Sequence, residues 1–191
     1  MTDAPVIAQR TTVEEFEVFL QQSENADRRF ELIDGEIVEK AMPGYLHQWL
    51  ARVLFRLLDE FVQAHDLGEV MFELRHRPNP EEQYNDRTPD LSFTTKARLQ
   101  PIVPGAVTQM SDLCIAIQSP GDLPREMRDK AAYYLANGAQ QVWLVFTQKP
   151  LIEVMFPNGN SDFYYPGDTL LGGDLLPGFE ARIDDIFRTR E

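Results

Sequence analysis

Three side chains stand where chemistry could be done. Asp90 precedes the apolar run Leu91-Ser92-Phe93 and follows Arg87-Thr88-Pro89. Proline is tolerated at the first position of a strand, so the carboxyl is expected at a strand head, lining a cleft or capping a turn. Gln118 ends a second apolar run over residues 112–118. Alternation sends Leu113, Ile115 and Ile117 to one face of that strand and Cys114, Ala116 and Gln118 to the other. The first set reads as core. The second carries small groups and one amide, so that face is expected to meet something other than a closely packed helix, or something that needs room. Lys130 borders the apolar stripe Met127, Ala131, Tyr134 and Leu135 of a helix that opens at Pro124. Its ammonium either snorkels to water or reaches over the end of the sheet toward Asp90.

Other chemistry-bearing residues carry less. His47, in the first turn of a helix and with no cysteine partner, reads as structural. Trp49 and Trp143 read as core aromatics. No phosphate-binding G-x-x-x-x-G-K-[ST] loop, dinucleotide G-x-G-x-x-G fingerprint, zinc-protease H-E-x-x-H or nucleophile elbow G-x-S-x-G is present.

The elements that must position these residues follow from periodicity. Thr11 or Thr12 caps a short helix through Phe16 and Phe19. Asp34-Gly35 between Phe30-Glu31-Leu32-Ile33 and Glu36-Ile37-Val38-Glu39 predicts a tight hairpin. Leu46, Leu50, Val53, Leu54, Leu57, Leu58 and Phe61 fall at helical spacing over residues 45–64. Strands are expected over residues 70–74, 89–93, 113–118, 141–146 and 151–156, with more β structure at 163–165. Polar or irregular connections are expected at 79–86 and 97–110. A helix spans about 123–137, with Pro124 in its first turn and Gly138 just past its end, and a short one closes the chain at 183–187. The order predicts a single mixed α/β (α+β) domain over 1–191, one sheet flanked by helices.

Composition sets the outer bounds. Of 191 residues, 43% are hydrophobic and 26% charged, which excludes wholesale disorder and low-complexity classes. No apolar stretch approaches a membrane span, and residues 1–9 lack a basic segment before an apolar core, so neither a membrane partner nor a secretory signal is expected. A single cysteine, Cys114, excludes an intrachain disulfide and a cysteine-based zinc site, and points to a reducing cytoplasm. The net charge of −13 disfavours general phosphate binding, which needs clustered Lys and Arg.

Ordered segments over residues 12–187 give the chain a resemblance to a known family. They are Phe30-Glu31-Leu32-Ile33-Asp34-Gly35-Glu36-Ile37-Val38, Pro43-Gly44 with His47, Thr88-Pro89-Asp90, and Ser119-Pro120-Gly121-Asp122. Lys130, Tyr134-Leu135-Ala136-Asn137-Gly138, Val142-Trp143-Leu144-Val145 and Leu176-Pro177-Gly178-Phe179 complete the set. In this order they resemble the Uma-two family of restriction-endonuclease-like proteins, within the PD-(D/E)XK nuclease superfamily. The resemblance implies a restriction-endonuclease-like core with a mixed central sheet. It also implies Mg²⁺-dependent phosphodiester hydrolysis, in which carboxylates and a backbone carbonyl hold the cation and a lysine serves the attacking water. By resemblance, Asp90 is the first acid, the Ile117 carbonyl and Glu31 are further ligands, and Lys130 is the lysine. The family's strand reads Glu-Val-Leu-Ser-Pro where this chain has Ala116-Ile117-Gln118-Ser119-Pro120. The metal-binding glutamate is therefore expected at Ala116, whose methyl cannot ligate. Gln118, on the same face, could supply only a neutral amide oxygen.

Two classes of function follow. One is a metal-dependent nuclease with a degenerate site built on Asp90, Lys130, Glu31 and Gln118, with homodimerisation plausible by the same resemblance. The other is a nuclease-fold module that binds a partner or nucleic acid, or assembles with another chain, without cutting. Basic residues clustered around Asp90 would favour nucleic acid. An acidic rim around the same cleft would favour a protein or small-molecule partner.

Overall fold

The computed structural model describes residues 10–79, 81, 83–102 and 104–189. The reading of residues 1–9 lies outside them. Helix α1 (Val13–Leu20) starts at Thr12. The Glu15 N–H donates to the Thr12 hydroxyl at 3.3 Å, and the Thr12 N–H donates to the Glu15 carboxylate at 2.8 Å. This reciprocal pair satisfies donors that a helix start leaves open.

Strands β1 (Phe30–Ile33) and β2 (Glu36–Glu39) form the expected hairpin. Asp34 and Gly35 take φ of 51° and 84°, the left-handed pair that matches strand twist in a two-residue turn. Strand alternation makes the hairpin two-faced. Phe30, Leu32 and Ile37 pack with Val13, Phe16, Phe19 and Leu20 of α1. Arg29, Glu31, Ile33, Val38 and Lys40 line the opposite face.

Helix α2 (Tyr45–Ala64) keeps its predicted bounds and buries Leu50, Val53, Leu54, Leu58 and Val62 along one stripe. The central sheet has the order β3 (Gly68–Phe72), β4 (Leu91–Thr95), β5 (Leu113–Ile117), β6 (Gln141–Phe146), β7 (Leu151–Met155), β8 (Ser161–Tyr164). Only β5 and β6 pair in parallel, joined by α3 (Pro124–Ala136); the other neighbours are antiparallel. On one face Leu50, Leu54 and Leu58 of α2 meet Leu91, Phe93, Leu113, Ile115, Ile117, Trp143 and Val145. On the other, Met127, Ala131 and Tyr134 of α3 meet Cys114, Ala116, Val142 and Leu144. The chain is thus a mixed α+β fold with its sheet between helices. Two short strands, β9 (Thr169–Leu171) and β10 (Glu180–Arg182), pair antiparallel before helix α4 (Ile183–Phe187).

Several expectations are corrected. The face of β5 carrying Cys114 and Ala116 is covered by a helix after all. Its small side chains leave room for the fully buried Tyr134 and for Met127. Trp143 is buried, but Trp49 is only half-buried and donates its indole N–H to the Arg188 carbonyl at 3.1 Å. The strand expected over 70–74 runs two residues earlier. The one expected from Pro89 starts at Leu91, which leaves Asp90 just outside the sheet. Strands β9 and β10 were not foreseen, being too short to show a period.

Candidate functional site

Asp90 stands where β4 begins beside the end of β5. Its N–H donates to the Ile115 carbonyl at 2.9 Å, which fixes the backbone. The side chain turns back along β5, and Oδ2 accepts the Ile117 N–H at 2.7 Å. His47, in the first turn of α2, brings Nε2 to 3.4 Å from Oδ2, and Lys40 Nζ lies 3.4 Å from Oδ1. Burial alone would raise the Asp90 pKa. The His47 hydrogen bond and the Lys40 and Lys130 ammoniums outweigh it and hold the carboxyl far below the usual carboxylate range.

The second carboxylate is Glu31 on β1, also buried. Oε1 accepts the Thr88 N–H at 2.6 Å and Oε2 accepts from Lys130 Nζ at 2.9 Å. Burial pushes this carboxyl up, but Lys130, Lys40 and the Thr88 N–H together bring it below its ordinary value. Lys130 therefore reaches inward from α3, and the snorkelling alternative is not the one adopted. Lys40 follows β2 and extends the hairpin ladder, its N–H donating to the Arg29 carbonyl at 2.8 Å. Its ammonium donates to the Thr88 carbonyl at 3.0 Å. Burial and the nearby Lys130 lower its pKa, against the pull of Asp90 and Glu31.

These groups wall a cavity of about 630 Å³ that also includes Ala116, Ile117, Ser119, Met127 and Tyr133. Arg87 stacks over Tyr133 at 4.4 Å and donates to Asn85 Oδ1 at 3.0 Å, so it serves as a wall brace. The cavity mouth is acidic. Asp34, Glu39, Glu126 and Asp129 line it and are exposed, Glu39 paired with Arg28 and Asp129 facing Arg125 at 3.9 Å, whereas the Lys40 and Lys130 ammoniums are turned inward onto carboxylates.

The structure brings together Asp90, just before β4, with Glu31 of β1, Ile117 of β5 and Lys130 of α3. Gln118 is not among the residues lining the cavity. Its amide N–H donates to the Asp122 carbonyl at 3.1 Å, and its amide oxygen accepts the Thr147 N–H at 3.1 Å. The amide is thus spent on tying the loop after β5 to the loop after β6, and the expected oxygen donor to the site is not offered. Two charged or titratable residues beside Asp90 were not assigned to the site: His47, which read as structural, and Lys40, which was not singled out. Lys40 had a legible signal: it lies opposite Arg29 across the hairpin and so shares the face of Glu31.

The family model of the Uma2 group, described as putative restriction endonucleases, matches residues 13–184. The chain belongs to the Uma2 family. A solved structure with the same fold is the crystal structure of a putative nuclease belonging to DUF820 from Anabaena variabilis ATCC 29413. It superposes with a TM-score of 0.78 at 21% identity, covering 92% of this chain and 97% of that one. No curated protein matches this Uma2 chain. Among the described residues no helix is long and apolar enough to cross a membrane.

The magnesium ion that the family implies finds a poor donor set in this Uma2 chain. Magnesium needs oxygen donors with negative charge to spare. Both carboxylates already face an ammonium, and Ala116 adds only a methyl group to the wall. Among the described residues no group of three or more His, Cys, Asp or Glu side chains is disposed to hold a metal. The residues present do not fit a resident divalent cation. What the floor can do is present paired charges to a ligand under an acidic mouth.

Proposed function

We propose that this chain is a nuclease-fold binding module that has kept the cavity at Asp90 and lost metal-dependent phosphodiester cleavage. The observation that carries this reading is the cavity floor: Lys40 on Asp90, Lys130 on Glu31, and the Ala116 methyl beside them. Carboxylates neutralised by the chain's own lysines have little charge left for a metal. The acidic mouth supports a protein or small-molecule partner over nucleic acid, because a polyanion would meet exposed Asp34 and Glu126 there, while Arg28 and Arg125 are engaged with Glu39 and Asp129.

One observation favours a second reading, a Mg²⁺-dependent endonuclease acting through Asp90, Glu31, the Ile117 carbonyl and Lys130. These residues come from four separate elements to one cavity, which core packing does not require. That reading needs Lys40 to leave Asp90. The test is incubation of the purified protein with supercoiled plasmid, linear duplex, single-stranded DNA and RNA in Mg²⁺ or Mn²⁺. The binding-module reading expects no products above those of Asp90→Asn. Cleavage by the parent protein that Asp90→Asn abolishes would overturn it and establish the nuclease.

A further inference from the structure

We infer that Lys40 is the resident counter-cation of the cavity: its ammonium holds the place beside Asp90 that a divalent cation would need, and Lys40 thereby decides whether the site can take one. The inference deepens the binding-module reading and rests on it.

The geometry is specific. Lys40 Nζ donates to the Thr88 carbonyl at 3.0 Å and lies 3.4 Å from Asp90 Oδ1, while the N–H of the same Thr88 donates to Glu31. One residue of the β4 approach therefore anchors both the lysine and the second acid. The Lys40 side chain is only 16% exposed. A buried ammonium is costly unless paired and hydrogen-bonded, so such a position is held by its partners and not by chance rotamer choice. The backbone supports it too, since the Lys40 N–H is tied to the Arg29 carbonyl at 2.8 Å.

Charge balance gives the placement its consequence. On the floor, Asp90 and Glu31 are countered by Lys40 and Lys130, leaving no net charge. Adding a divalent cation would leave a buried double positive charge, which the low dielectric penalises. Replacing Lys40 by a neutral side chain leaves the floor negative by one unit. Adding a carboxylate at 116, whose methyl already lines the wall, makes it negative by two, the charge that a divalent cation cancels. Ala116→Glu with Lys40 kept also stands at minus one, so charge alone does not rank it below Lys40→Met; it is insufficient because the Lys40 ammonium still holds the place beside Asp90.

The experiment is calorimetric titration of Mn²⁺, and then Mg²⁺, into the parent, Lys40→Met, Ala116→Glu, the double variant, and the double variant carrying Asp90→Asn. No nucleic acid is present, so the readout is independent of cleavage. Thermal melting with and without Mn²⁺ gives a second readout. The expected result is weak binding by the parent and by Ala116→Glu. Binding tightens in Lys40→Met and is tightest in the double variant, by roughly tenfold or more over Ala116→Glu, and is lost with Asp90→Asn. If Lys40→Met does not fold, Lys40→Gln serves, because its amide can still donate to the Thr88 carbonyl. Equal affinity in the parent and in folded Lys40 variants overturns the inference. Plasmid cleavage by the parent would sink the binding-module reading, whereas a null effect of Lys40 removal sinks this one alone.

Discussion

Two buried aspartates sit at opposite ends of the β4–β5 pair, and their surroundings differ in kind. Asp112, just before β5, is completely enclosed. Its Oδ2 accepts the Thr95 N–H and hydroxyl, both at 2.8 Å, and its Oδ1 accepts from Arg98 and from Gln140 Nε2. Against the cost of burial, these donors keep its carboxyl below the ordinary range. Asp90 receives one backbone N–H, and its remaining neighbours are a lysine and a histidine at 3.4 Å on the wall of a cavity. Both acids are buried and ionised, so neither burial nor pKa direction separates scaffold from site. The separation lies in what completes the carboxylate. Short hydrogen bonds from neighbouring loops make a staple. Long contacts to ionic groups beside open space make an ion pair that faces a cavity.

The largest effect should come from breaking the staple. Asp112→Ala leaves the donors of Thr95 and Gln140 unpaired and takes the carboxylate from Arg98, which keeps the Met110 carbonyl, and should destabilise the protein by about 3–5 kcal/mol in urea unfolding. Asp90→Asn should cost clearly less, because the cavity admits water to the groups it leaves. An equal loss would erase the contrast between the two ends.

Next in size is a pH effect at the closed end. His76 is fully buried, with Nε2 2.8 Å from the Ser111 hydroxyl, and burial pulls its pKa down to about 4 from an ordinary 6.5. The unfolded chain binds this proton more readily than the folded one between those values. Its contribution is therefore complete above about pH 6.5 and is lost as pH falls toward 4, by about 3 kcal/mol in all. Unfolding free energy measured across that window should fall less steeply in His76→Gln than in the parent. Identical slopes would mean that His76 is not held neutral.

The smallest effect tests the scaffold on the cavity side. Gln118→Ala removes the amide between the Asp122 carbonyl and the Thr147 N–H, and should cost about 1–3 kcal/mol without changing cation affinity. A change in Mn²⁺ binding with little loss of stability would return Gln118 to the site.

Much of this was legible before folding was considered. Asp34-Gly35 marked the hairpin because few residues tolerate positive φ at both turn positions. The leucines of 45–64 marked α2 because their spacing leaves one apolar stripe. Asp90, Glu31 and Lys130 could be nominated through the family resemblance, and the cavity gathers them. Gln118 misled because alternation gives a face but not the end of a strand. One residue past Ile117 the chain leaves the ladder, and the amide turns to the loops. His47, read as structural, and Lys40, not singled out, were left outside the site for the opposite reason. Their significance lies wholly in their distance to Asp90, across more than forty residues of chain.

By itself the sequence determined the order of the main elements, the hairpin at Asp34-Gly35, and one sheet flanked by helices. Those are properties of local period and side-chain type, which each stretch of chain carries with it. Tertiary structure alone decided that Lys130 turns inward to Glu31, that Gln118 serves the scaffold, and that Lys40 faces Asp90 beneath an acidic mouth. Pairing of buried charges depends on separations of a few ångströms between distant segments, and Coulomb energy in a poorly solvated site changes steeply over that range.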